Sequence, residues 1–261
     1  MRKSIIALMA LASVASAESI GYTDMTEEQK SGVILAWDFS EGSASPVVGS
    51  VNNEFTLNES ATAAHLTGSG NPWTDSLTNS FASGDFTLSL DVNSFTANNW
   101  QALVSLYSVG GHGDNKCLQV GVNTSGQLAV FNEVAGQTGF ASIDTAGNIM
   151  TGLTSGFSGA ATLTLVSDMT NTKTLYVYVD GKLVGSHSNW TATTNQALMG
   201  LQIGASFGGD RAFPEAEISN ITLWNKALSS TEVKGLLVPE PTTATLSLLA
   251  LAGLAARRRR K

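Results

Sequence analysis

From Val33 to Trp224 the chain is a succession of short runs in which apolar and polar residues alternate, separated mostly by clusters of Gly, Asn, Asp and Ser. In Phe86-Thr87-Leu88-Ser89-Leu90-Asp91-Val92, one side takes Phe86, Leu88, Leu90 and Val92 and the other takes Thr87, Ser89 and Asp91. Successive side chains of a strand point to opposite faces, so this pattern suits a half-buried strand and not a helix. Comparable runs occupy Val33 to Phe39, Ala102 to Tyr107, Leu118 to Val122, Gln127 to Phe131, Ala161 to Ser167, Thr174 to Val179, Leu201 to Gly204 and Ile218 to Trp224. Many short strands at such spacing predict an all-β antiparallel sandwich or barrel.

Turn chemistry sharpens this expectation. In Tyr176-Val177-Tyr178-Val179-Asp180-Gly181-Lys182-Leu183-Val184, an Asp-Gly pair separates two apolar runs. Such a pair suits a type I′ turn, whose two central residues need positive φ and whose twist matches the flanking strands. A second hairpin is expected across Asn123-Thr124-Ser125-Gly126. Helix is scarce: Ser229-Ser230-Thr231-Glu232 reads as a capping box opening a short helix to about Leu236, and Thr26 to Gln29 as a weaker copy.

The two ends differ from this middle. Residues 1–17 combine Arg2 and Lys3, the apolar run Ile5 to Val14 and a small-x-small site, Ala15-Ser16-Ala17, which is the three-part pattern of a secretory signal peptide. The other end reads Pro239-Glu240-Pro241, an apolar stretch from Thr242 to Ala256, then Arg257 to Arg260 and Lys261. That stretch is shorter than the roughly 20 residues of a stable helical span. Its basic end would stay on the cytoplasmic side, orienting the preceding domain outward.

Across all 261 residues the formal net charge is −7, with 14 Lys+Arg against 21 Asp+Glu. Without residues 1–17 and 239–261, which hold seven of the basic residues and one acid, 7 basic and 20 acidic residues remain, a net charge of −13. Such a surface repels phosphate backbones, so no nucleic-acid partner is expected. A single cysteine, Cys117, excludes an intramolecular disulfide framework and reads as a small packed residue.

The C-terminal tripartite tail resembles the PEP-CTERM sorting signal of exported bacterial proteins. The resemblance implies export through the inner membrane of a Gram-negative bacterium, handling by an exosortase-type protease-transpeptidase with transient membrane insertion of the apolar helix, and display in the envelope, at the surface or in the extracellular matrix. A plain membrane anchor is the alternative. The middle resembles the LamG-like, concanavalin A-like lectin/glucanase jelly roll. That resemblance rests on Ile34 to Phe39, Phe86 to Val92, the Tyr176 to Gly185 hairpin, and Ile218 to Ser229 with Glu232-Val233. The organisation expected is a signal peptide at 1–17, a lead-in at 18–32, the jelly roll at 33–237 and the sorting signal at 238–261.

Glucanases of this superfamily resemble one another in a strand with closely spaced acids, and retaining hydrolysis needs two carboxyl groups about 5 to 5.5 Å apart. The nearest counterpart is Glu215-Ala216-Glu217-Ile218-Ser219, which lacks the third acid and reads as a solvated face. His65, His112 and His187 form no His-Glu-x-x-His motif, and no Gly-x-Ser-x-Gly elbow names a nucleophile. No catalytic residue is therefore expected. Sugar C–H faces stack on aromatic rings while hydroxyls need directional partners. Trp73, Trp100 and Trp190 lie in polar contexts, unlike Trp37 and Trp224. The carbohydrate-binding candidates are Trp100, His112, Asp114, Asn115, Trp190 and Asp210. Many relatives in this superfamily carry Ca²⁺, and Asp114-Asn115 would offer oxygen ligands, but no ligand set follows from the sequence. Three functions stay open: a displayed module binding glycan or matrix components, a structural matrix or envelope protein, and a glycoside hydrolase with displaced carboxylates.

Overall fold

The computed structural model describes residues 18–68, 71–74, 84–98, 101–108, 118–132, 149–188, 198–205 and 211–238. All belong to one unit of the chain, Ala17–Val238. Thirteen strands are described: β1 Val33–Ala36, β2 Ala64–Leu66, β3 Trp73–Thr74, β4 Phe86–Thr96, β5 Ala102–Ser108, β6 Leu118–Val122, β7 Gln127–Asn132, β8 Ile149–Thr154, β9 Phe157–Asp168, β10 Thr174–Val179, β11 Lys182–Ser188, β12 Leu198–Ile203 and β13 Glu215–Trp224. Two short helices, α1 Glu27–Lys30 and α2 Ser230–Gly235, accompany them.

The strands form two antiparallel sheets. The first runs β1-β13-β4-β9-β10-β11, with β2 also on β13, and the second runs β3-β12-β5-β6-β7-β8. Alternate residues of both sheets meet in one core that includes Leu88, Leu90 and Val92 of β4, Val104 and Leu106 of β5, Val120 of β6, Val130 of β7, Leu163 and Leu165 of β9, and Leu223 of β13. This is the antiparallel sandwich that the alternation predicts.

Both hairpins close as their turn residues require. Asp180 and Gly181 have φ of 50° and 66°, and Val179 pairs with Lys182, which is the two-residue type I′ loop. A side chain at Gly181 would also come within 2.8 Å of the Leu237 Cδ1. In the other hairpin, Gly126 N donates to Asn123 O and has φ of 73°, which makes a type I turn with a left-handed glycine. The Asn123 side chain accepts from the amides of Ser125 and Gln127, fixing the loop from within.

Two features differ from the sequence reading. Strand β1 ends at Ala36, because the Asp38 carboxylate accepts from Ser40 N at 3.1 Å and turns Phe39–Glu41 into a 3-10 turn that stops at left-handed Gly42. The polar side of β4 is also not solvated: Thr87, Ser89 and Asp91 are all buried. Both terminal segments cover this outer face of the first sheet. Met25, Leu228, Val233 and Leu236 make a second apolar cluster there with Val166, Tyr178 and Trp224. Capping boxes at Thr26 and Ser229 hold the two helices of the cover, and Trp224 Nε1 donates to Gln29 O at 2.7 Å.

Candidate functional site

The outer face of the second sheet has a different chemistry. None of its six described strands contains an Asp, Glu, Lys, Arg or His. Across it, register places one residue from each of five strands in a row: Trp73 pairs with Gln202, Gln202 with Ser105, Ser105 with Gln119, and Gln119 with Phe131. Adjacent strands lie about 4.8 Å apart, so the row spans about 19 Å. An aromatic residue stands at each end, with two amides and a hydroxyl between.

Each position follows from the pleat. Val104, Leu106, Leu118, Val120, Val130, Leu201 and Ile203 turn into the sandwich, which leaves Ser105, Gln119, Phe131 and Gln202 on the far side. Gly121 on β6 leaves room for the Phe131 ring, whose Cε2 would lie 3.1 Å from any Cβ placed there. Phe131 packs with Ala129 and Met150 in a small apolar cluster beside the row. Ser105 Oγ donates to Ala205 O at 3.0 Å.

Gln119 is the anomaly. It is 1% exposed, and neither its Nε2 nor its Oε1 has a hydrogen-bond partner among the described residues. Burying an amide without partners costs about 1–3 kcal/mol, so a stability argument alone would place an apolar residue here. Ser105 and Gln202 are also buried. The row therefore combines two donor-acceptor amides, a hydroxyl and apolar ring surface on described strands that carry no charged residue, which is chemistry suited to a neutral polyol.

Sequence reasoning did not single out Gln202, Ser105, Gln119 or Phe131, because each occupies the polar phase of its strand or its edge. Trp73 was marked by its polar context, and register sets it at the end of the row. Trp100, His112, Asp114, Asn115, Trp190 and Asp210 lie outside the described residues, as do Cys117 and the motif Pro239-Glu240-Pro241. The residues that flank them divide into two groups. Ser108, Leu118 and Leu198 sit at one end of the second sheet, and Ala102, paired with Ala212, at the other.

Glu215 and Glu217 begin β13 in the first sheet, opposite Thr96 and Ser94, so neither reaches the row. Glu215 is exposed, and Glu217 is half-buried and accepts from Asn58 Nδ2 at 3.5 Å. Two aspartates are buried on the first sheet's side. Burial pushes the Asp38 carboxyl up, but donors from Ser40 and Thr23 outweigh it and hold the group below its ordinary value. For Asp91 burial wins over the donors of Thr162, Asn220 and Ser19, and its carboxyl lies above the ordinary value. Among the described residues no group of three or more His, Cys, Asp or Glu could hold a metal ion, and the Asp114-Asn115 pair that would offer oxygen ligands to Ca²⁺ lies outside them. Among the same residues no helix is long and apolar enough to cross a membrane.

Comparison with known proteins agrees with this architecture. No curated protein matches the sequence. Among solved structures, the binding domain of Paraclostridial Mosquitocidal Protein 1 is similar with a TM-score of 0.57 and 14% identity, over 80% of this chain and 52% of that one. Trypanosoma rangeli sialidase in complex with sialic acid is similar with a TM-score of 0.56 and 18% identity, over 78% and 32%. A botulinum neurotoxin type C structure, described with cell entry dependent on two ganglioside molecules, has a TM-score of 0.55 and 15% identity, over 80% and 51%. This chain thus spans between 32% and 52% of the length of these structures, and at such identities the likeness shows the fold. Residues 237–261 match the PEP-CTERM protein-sorting motif. Residues 67–234 match the family model described as the concanavalin A-like lectin/glucanases superfamily, and with two sheets of that sandwich in place the chain belongs to that superfamily.

Proposed function

We propose that this protein is an exported, surface-displayed, non-catalytic module that binds a neutral glycan of the envelope or extracellular matrix. The observation that carries the reading is the uncharged row Gln202–Ser105–Gln119–Phe131, in which the Gln119 amide has no partner among the described residues. Hydrolysis would need a carboxyl pair at the ligand, and the described strands of the second sheet supply none. Two of the fold neighbours are recorded with sialic acid or gangliosides, which supports a carbohydrate ligand. A chain of net charge −13 between residues 18 and 238 disfavours acidic sugars, so the reading is narrowed to neutral ones. The sorting motif supports display after export, with exosortase-type machinery as partner. Calorimetric titration of the exported protein with neutral and with sialylated oligosaccharides tests this. Saturable heat with a neutral sugar is expected, and binding confined to sialylated sugars, or to none, would overturn it.

The burial of the row favours a second reading, a structural matrix protein whose face never opens. A ligand reaches Gln119 only when the atoms that bury it move aside. On the structural reading, Gln119 amide exchange stays at the level of global unfolding whatever sugar is added.

A further inference from the structure

Asp91 lies on β4, is 0% exposed and has no cation beside it among the described residues. Its oxygens accept from Ser19 N at 3.1 and 3.0 Å, from Ser19 Oγ at 3.0 Å, from Thr162 Oγ1 at 2.6 Å and from Asn220 Nδ2 at 3.0 Å. Asn220 adopts a left-handed φ of 48° at an irregularity in β13, and its Nδ2 also donates to Ser19 O at 3.1 Å. Three strands thus build a pocket that grips residue 19 by its amide, its hydroxyl and its carbonyl. The same segment is tied to the other end of the domain. Ile20 N donates to Leu236 O at 2.7 Å, Val238 N donates to Glu18 O at 3.0 Å, and Ser19 bridges Leu237.

Such a grip is unusual for a chain end, which is ordinarily the least ordered part of a domain. A buried carboxylate with donors but no counter-ion is also costly. Both facts have one explanation if the chain begins at Glu18 when it folds. Hydrolysis of the Ala17–Glu18 peptide bond by a leader peptidase consumes one water and leaves an Ala17 carboxylate and a Glu18 α-ammonium. The new ammonium is one residue from the Ser19 amide that rests on Asp91. Successive backbone nitrogens are about 3 to 3.7 Å apart, which brings the cation within about 7 Å of the carboxylate.

We propose that Asp91 is the receptor for the mature N-terminus, so that leader removal supplies the missing cation and locks the pairing of residues 18–20 with 236–238. The last of these residues immediately precedes Pro239 of the sorting motif. Processing at one end therefore sets the order of the segment that presents the other end.

The test uses the protein processed from its full-length precursor and exported. N-terminal sequencing establishes the start, and a chain that begins elsewhere than Glu18 overturns the proposal. Hydrogen exchange is then read at the Ile20 and Val238 amides, before and after the α-amine is selectively transaminated to a neutral carbonyl. Loss of the charge should speed both amides about tenfold, the equivalent of one pK unit of interaction, while leaving β4 amides unchanged. Unchanged exchange at Ile20 and Val238 would show that the pocket needs only the hydrogen bonds to Ser19 and would overturn the ion pair. In Asp91→Asn the exchange should already be fast and insensitive to transamination. The wild-type comparison decides the question by itself if that variant does not fold.

Discussion

Replacing Gln119 by Met is the perturbation with the most to say about the second sheet. The unbranched Met chain follows the path of Gln and fills similar space, so the change removes two polar atoms with little repacking. In the wild type those atoms are buried and have no partner among the described residues, at a cost of about 1–3 kcal/mol. A domain of this size changes its melting temperature by about 2–4 °C per kcal/mol, so Gln119→Met should melt about 2–12 °C higher. Affinity for a neutral oligosaccharide should move the other way. Two lost hydrogen bonds at about 0.5–1.5 kcal/mol each weaken binding about 5- to 150-fold. Differential scanning calorimetry with and without sugar reads both quantities. A residue kept against the stability of the fold is the mark of a functional position. A lower melting temperature in Gln119→Met would refute the reasoning, because the amide would then be contributing to the fold.

Other substitutions probe the framework and the chemistry. Gly181→Ala forces a side chain into a residue with φ of 66° and toward Leu237, and should cost about 1–2 kcal/mol by chemical denaturation. Asp38 has a depressed carboxyl, so its stabilisation is present above the ordinary aspartate value of 3.8 and is lost as pH falls through its folded pKa. Wild type and Asp38→Ala should accordingly converge in stability below that value in acid denaturation curves. In the unprocessed chain Asp91 has a raised carboxyl and works in the opposite sense: its contribution is greatest in acid and is lost as pH rises from 3.8 through its folded pKa, a slope that Asp91→Asn should remove. Glu215→Gln with Glu217→Gln should leave glycan affinity within twofold of wild type in the same calorimetric titration, since both lie in the first sheet.

Most of the fold was legible in the sequence because it is written in local patterns. Leu118–Val122 and Thr174–Val179 begin and end where alternation begins and ends, and the Asp180-Gly181 and Ser229 signals specify their turn and cap. Strands β2 and β3 were too short to carry a period, and β8 is interrupted by Gly152 at φ of 83°. The buried state of Asp91 was not legible, since a polar residue in alternation looks the same under solvent as under a terminal segment drawn back across the sheet. The row on the second sheet was illegible for a related reason. Gln202, Ser105, Gln119 and Phe131 are separated by up to 97 positions in sequence and become neighbours only through strand register. Loop composition drew attention to Trp100, Trp190 and their companions instead, because a loop announces its polarity within a few residues and a sheet face does not.

The most direct test of the account is the side-chain amide resonance of Gln119, followed by NMR while a neutral oligosaccharide is added to the exported protein. The account predicts that this resonance shifts and saturates with the bulk binding curve, as the amide gains the partners that it lacks among the described residues. Saturable binding that leaves the Gln119 amide unmoved would contradict it.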